Sequence, residues 1–180
     1  MKEASFDFLD ESEGSALSVE EKLNLAIQLR SEERLSESNQ LLVELARQNA
    51  DNAYIQYQCA WSFDRLGEES KAVPYYKAAI QGGLEKEDLE NAYLGLGSTY
   101  RALGEYEKSK TVFEKAILQF PDHQGLKVFY AMTLYNLRKH EKAMSLLLNS
   151  VVAATSDQTI LNYKKAIEFY ADKLDKTWED

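Results

Sequence analysis

Two histidines, a single cysteine, a closely spaced glycine pair and many carboxylates are the groups in this 180-residue chain that could do chemistry. His123 and His140 could ligate a metal, but neither has a companion at ligand spacing. Cys59 is alone, so it can form no disulfide within the chain. It sits among residues with core spacing, where a thiol serves as a small apolar filler more readily than as a nucleophile. Gly95-Leu96-Gly97 begins like a dinucleotide fingerprint. No strand pattern precedes it, however, and Tyr100 stands where the third glycine belongs, so helix packing is the better use of these glycines. Carboxylate pairs occur throughout an acidic sequence and single out no general acid or base. The expectation is no enzyme, no metal and no cofactor.

Binding is the stronger chemical signal. Tyr54, Tyr57 and Trp61 recur at helical spacing, and Arg30, Arg65 and Arg101 follow one another at nearly constant intervals. The elements that would have to position them are clearest over 90–123, ENAYLGLGSTYRALGEYEKSKTVFEKAILQFPDH. Tyr93, Leu96, Tyr100 and Leu103 step by 3, 4 and 3, while Ser109, Phe113, Ala116 and Ile117 step by 4, 3 and 1. Gly104 between the two runs suits the left-handed residue that ends a helix, and Pro121 closes the second run. This pattern predicts a helix hairpin.

The order large residue, Leu, Gly, Tyr, then Ser, Phe, Ala and Pro resembles the tetratricopeptide repeat, with Ser109 departing from the Ala usual at its position. The resemblance implies an all-α, right-handed α-solenoid of about four helix hairpins plus a C-terminal capping helix. The expected organisation is an acidic, flexible tail over 1–17, repeats over 18–52, 53–89, 90–123 and 124–157, and the capping helix over 158–180. Composition agrees with this. The chain is 44% hydrophobic and 28% charged, and it holds only 8 Gly and 2 Pro, as a mostly helical protein requires. A net charge of −9 argues against a nucleic-acid partner. No apolar run approaches the roughly 20 residues of a membrane span. The opening MKEASFDFLDE has neither a basic nor an apolar leader region, so the expected location is cytoplasmic.

Along the chain, Ser18-Val19-Glu20-Glu21 matches a capping box that should start the first helix. Repeat one carries Glu33 where the turn glycine belongs and repeat four carries Arg138 there. Ala26 and Ala60 lie 34 residues apart but Ala60 and Gly97 lie 37 apart. Three extra residues therefore fall near 82–88, where a loose connection is expected with Asp88 capping the next helix. Pro74 should bend the second helix of repeat two. From Gln158 to about Trp178, Ile160, Tyr163, Ile167, Tyr170, Leu174 and Trp178 form one stripe and suggest a single amphipathic helix. Small residues at Ala26, Ala60, Gly97 and Ala131, facing Ser38, Ala72, Ser109 and Ala143, should let paired helices approach closely.

In the resembled family the first helix of each hairpin lines a concave groove. Carried over by position, the implied peptide-binding residues are Tyr54, Tyr57, Trp61 and Arg65, then Asn91, Leu94, Ser98 and Arg101, then Met132, Tyr135 and Asn136. Members that grip chaperone C-termini use Lys and Asn at positions filled here by Tyr57, Trp61, Leu94 and Ser98, so such a clamp is not expected. An extended or helical peptide with apolar anchors and some acidic character suits this lining better. Two plainer readings stand beside it: the aromatics could pack against the next hairpin, and the arginines could serve the helix dipole. The functional expectation is a non-catalytic scaffold for a protein or peptide ligand, without nucleic acid or membrane, monomeric or homodimeric. The alternative is a homo-oligomerisation module using the convex face or the capping helix. The tail, with Phe6, Phe8 and Leu9 among carboxylates, could itself enter the groove.

Overall fold

The computed structural model describes residues 17–178, so the acidic tail and its suggested docking lie outside the described residues. Eight helices form four hairpins. They are α1 (Val19–Ser31) with α2 (Leu35–Gln48), α3 (Ala53–Arg65) with α4 (Glu69–Gln81), α5 (Lys86–Ala102) with α6 (Tyr106–Gln119), and α7 (Gln124–Asn136) with α8 (His140–Ala154). Each packs against the next in sequence, and the first helices also touch in succession, α1 on α3, α3 on α5 and α5 on α7. That second set of contacts makes a continuous wall of first helices. No strand occurs among the described residues.

Local chemistry sets the ends of these helices. Ser18 Oγ accepts from the Glu21 N–H while the Glu21 carboxylate accepts from the Ser18 N–H, completing the capping box. Within each hairpin the turn repeats one backbone geometry. The N–H groups of Arg34, Glu68, Glu105 and Lys139 donate to the carbonyls of Leu29, Phe63, Tyr100 and Leu134 at 2.9 to 3.0 Å. The residue before each of these has positive φ, at Gly67 (70°) and Gly104 (75°) but also at Glu33 (60°) and Arg138 (61°). Two side-chain-bearing residues therefore adopt the left-handed conformation that glycine occupies without penalty. The closing bonds and the packed helices on either side hold them there.

Packing at the hairpin crossings follows the small-residue pattern. Ala26, Ala60 and Ala131 are buried, as are Ser38, Ala72, Ser109 and Ala143. Both serines add a polar tie across their hairpin, Ser38 Oγ donating to Ala26 O and Ser109 Oγ to Gly97 O, each at 2.7 Å. A Cβ on Gly97 would lie 2.5 Å from the ring of Phe113, a fully buried side chain. One on Gly95 would lie 2.4 Å from the ring of Tyr76, so both glycines serve close packing.

Three local expectations need correction. The extra residues of repeat two do not form a loose connection. They lengthen α5, which begins at Lys86 and runs for 17 residues where α3 and α7 run for 13. Asp88 consequently lies in the first turn of α5 and is not its cap; the N-cap is Glu85, without a side-chain bond. The stripe from Gln158 to Trp178 is not one helix but two short ones, α9 (Gln158–Leu161) and α10 (Lys164–Tyr170), followed by turns. A straight helix would put Trp178 about 12 Å along the axis from Tyr170. In the folded segment their ring centroids are 5.4 Å apart, and Phe169 joins them, so the break gathers three rings into one cluster. α10 packs on α8 and Ala171 is buried. Pro74 lies inside α4, which continues through it to Gln81.

Candidate peptide-binding groove

Of the implied groove residues, the aromatic group lies on α3. Trp61 and Tyr54 are 39% and 37% exposed, which makes them surface groups. Tyr57 is placed otherwise. At 7% exposure it belongs to the core, stacked on Trp61 at 6.2 Å and tilted against Tyr76 at 6.4 Å, and burial pushes its hydroxyl up to about 12. The sequence pattern could not separate it from Tyr54, because both sit on one helical stripe three residues apart. Tyr57 backs the Trp61 ring and is not a surface contact.

Arg30, at the end of α1, completes this region. Its guanidinium carbon lies 3.8 Å from the centroid of the Trp61 ring, and its Nη2 donates to Gln58 Oε1 at 2.5 Å. The residue is only 6% exposed, and its Nη1 finds no acceptor among the described residues. Burial lowers its pKa, but a guanidinium remains charged. Arg65 donates to both oxygens of the Glu33 carboxylate at 2.9 Å. Ile27, Arg30, Tyr54, Gln58, Trp61 and Arg65 contribute to the lining of a cavity of about 330 Å³. Gln58 is a member that the sequence does not announce, because a lone glutamine between buried residues carries no periodic signal. Arg30 lies in the last turn of α1, where a cation suits the helix dipole, and is held there by an aromatic face and an amide.

A second region lies on α5, α7 and α8. Arg101, Met132, Tyr135 and Asn136 line a cavity of about 370 Å³ with His140 and Met144. Tyr135 is 62% exposed and stands edge-on to the His140 ring at 4.6 Å. Arg101 Nε and Asn136 Oδ1 are buried without partners among the described residues. Between the two regions α5 contributes Leu94 and Ser98, both half-buried, the latter with an unpartnered Oγ; Asn91 is exposed. The implied residues thus lie in two regions on the wall, with Asn91, Leu94 and Ser98 of α5 between them.

His123 and Cys59 occupy structural positions. His123 Nδ1 accepts the Leu126 N–H at 3.1 Å and so caps α7. Cys59 is fully buried, and burial pushes its thiol up to about 12, far from a reactive thiolate. Asp64 accepts from Tyr76 Oη at 2.7 Å and Thr99 Oγ1 at 3.0 Å, joining α3, α4 and α5.

The family model described as Tetratrico peptide repeat matches residues 53–174. The chain belongs to the tetratricopeptide repeat family. Superkiller protein 3 of Saccharomyces cerevisiae is 28% identical over 106 residues, which covers 55% of this chain and only 7% of that protein. Two solved structures share the tetratricopeptide repeat fold. MamA from Desulfovibrio magneticus RS-1 is 15% identical with a TM-score of 0.68, the match covering 85% of this chain and 88% of that one. The Thermus thermophilus protein TTC0263 is 19% identical with a TM-score of 0.62, covering 88% and 85%. Among the described residues no helix is long and apolar enough to cross a membrane.

Proposed function

We propose that this tetratricopeptide repeat protein is a non-catalytic scaffold that receives a peptide or partner segment along its wall of first helices. The observation that supports the reading is that Trp61, Met132 and Tyr135 remain 39%, 40% and 62% exposed on that wall while the small-residue crossings behind it are closed. Large, rigid side chains partly open to water are the ones that carry most energy in binding sites. The two cavities give such a segment apolar anchor points at either end, each beside an arginine.

Selection from a random peptide library against the whole chain, followed by titration of the binders, tests this. Trp61→Ala should weaken selected peptides by about 2 kcal/mol or more, roughly thirtyfold, with an unchanged helical spectrum. Affinity untouched by Trp61→Ala and Arg101→Ala together would remove the groove from consideration. Self-association is the second reading, favoured by the exposed Tyr163, Phe169, Tyr170 and Trp178 at the C-terminal end. Light scattering on a Phe169→Asp, Trp178→Asp variant separates the two: loss of a dimer with unaltered peptide binding supports self-association.

A further inference from the structure

Among the described residues Arg30 is a buried cation paired with no anion, although the Glu33 carboxylate lines the same cavity. The ion pairs of the described residues leave it out, and Glu33 directs both carboxylate oxygens to Arg65. Gln58 Oε1 satisfies Nη2, and the Trp61 ring lies over the guanidinium, but neither brings a negative charge, and the Nη1 donors are unused. Removing a guanidinium from water is unfavourable unless a counter-charge replaces the lost hydration. Nothing on α1 or α3 supplies one, although the protein as a whole is acidic.

From this imbalance we infer that the Arg30 cavity is a carboxylate-recognition site, taking an Asp or Glu side chain of a peptide segment that also carries an aromatic or aliphatic neighbour. The inference rests on the groove reading above and assigns its N-terminal end a ligand chemistry. The Trp61 ring over the guanidinium holds it in place, so the unused Nη1 donors, shut from water in the free protein, are positioned before any ligand arrives. Ile27, Tyr54 and Trp61 beside it offer apolar surface for the neighbouring side chain. A single carboxylate fits better than a phosphate, because a dianion calls for a second free cation and Arg65 is committed to Glu33. Arg30 itself is not at a place of the chaperone-type clamp; of those places, filled by Tyr57, Trp61, Leu94 and Ser98, the cavity shares Trp61 alone.

The probe can be taken from the chain itself, whose residues 6–11 read FDFLDE. The capped peptide Phe-Asp-Phe-Leu-Asp-Glu and its neutral counterpart Phe-Asn-Phe-Leu-Asn-Gln are titrated into the full chain. Binding is followed by calorimetry and by the indole N–H resonance of Trp61, distinguished from that of Trp178 with Trp178→Phe. The acidic peptide should bind at least tenfold more tightly, move the Trp61 resonance and lose its advantage as salt is raised. Arg30→Met should abolish the preference. If that variant fails to fold, the comparison of the two peptides on the wild-type chain still decides. A rise in affinity with Asp7→Asn, Asp10→Asn and Glu11→Gln in the protein would identify its own N-terminal stretch as the resident carboxylate source. Unchanged affinity would assign the site to a separate segment. Equal affinity for the two peptides overturns the carboxylate site; if the neutral peptide still moves Trp61, the groove reading survives. Binding of neither at millimolar concentration, to the wild-type chain or to the Asp7→Asn, Asp10→Asn, Glu11→Gln variant, also overturns it, while library-selected peptides that respond to Trp61→Ala would leave the groove standing.

Discussion

Arg138 and Glu33 show what a single residue is made to do by its surroundings. Both hold φ near 60° at a turn where Gly67 and Gly104 hold the same conformation freely. The left-handed region costs a residue with a Cβ roughly 1 to 2 kcal/mol. Arg138→Gly should therefore raise stability by up to about 1 kcal/mol, the relief being reduced by the greater freedom of glycine in the unfolded chain. A urea midpoint below wild type would contradict this. Asp64 offers a second test. Burial raises its carboxyl above the ordinary value, against the lowering effect of the bonds from Tyr76 and Thr99. A folded-state pKa above the unfolded one means that the folded chain binds the proton more tightly. The contribution of this site is thus greatest below the unfolded pKa and falls as pH rises through the folded one. Comparing wild type with Asp64→Asn isolates it from other carboxylates. The wild-type midpoint should gain on the variant as pH drops from about 7 to about 4; a wild type that loses ground would reverse the sign.

At the scale of the helix, contact is controlled by the smallest residues. Gly97 faces the end of the Phe113 ring, and Phe113 has no exposed surface into which to retreat. Gly97→Ala should therefore overpack the α5–α6 crossing and cost about 1 to 3 kcal/mol, despite the better helix propensity of alanine. Chemical denaturation reads this directly: an unchanged midpoint and slope would mean that the crossing is looser than the distances imply. The lengthening of α5 belongs to this scale too. α5 exceeds α3 and α7 by four residues, just over one helical turn, so the added segment at its start continues the faces of the turn that follows.

For the molecule as a whole, the core is not evenly distributed. One buried cluster runs from Ala26 through Leu42, Ile55 and Tyr76 to Tyr100, joining three hairpins. The cluster at the far end consists of Ala131, Leu134 and Ala143, with Tyr130, Leu146 and Leu147 partly buried around it. In a solenoid each hairpin is stabilised by its nearest neighbours, so the fourth should open before the second. Hydrogen exchange should show α8 amides exchanging through a local opening, ahead of those of α3 and α4; equal protection across the array would mean that the chain unfolds as one unit. The same gradient leaves Met144 and Val151 of α8 45% and 47% exposed.

The sequence by itself determined the number of hairpins, their helical character and the small residues at their crossings. These depend on periods of three and four and on side-chain size, which a one-dimensional pattern carries. Through the family's repeat positions it also marked Trp61, Arg101, Met132 and Tyr135, on α3, α5 and α7, as candidates for the groove proposed here. Only the tertiary structure decided which groups on the wall of first helices meet water. Tyr54 and Tyr57 share a helical stripe, and it took the neighbouring Tyr76 on α4 to bury one and leave the other open. Arg30 and Trp61 lie on different helices, and their stacking depends on how α1 meets α3. The C-terminal stripe had the period of one helix, yet its aromatic rings gather closely only when the helix breaks. Periodicity specifies which side of a helix is apolar; what that side touches, and whether a buried charge finds its counter-charge, is settled by residues distant in the chain.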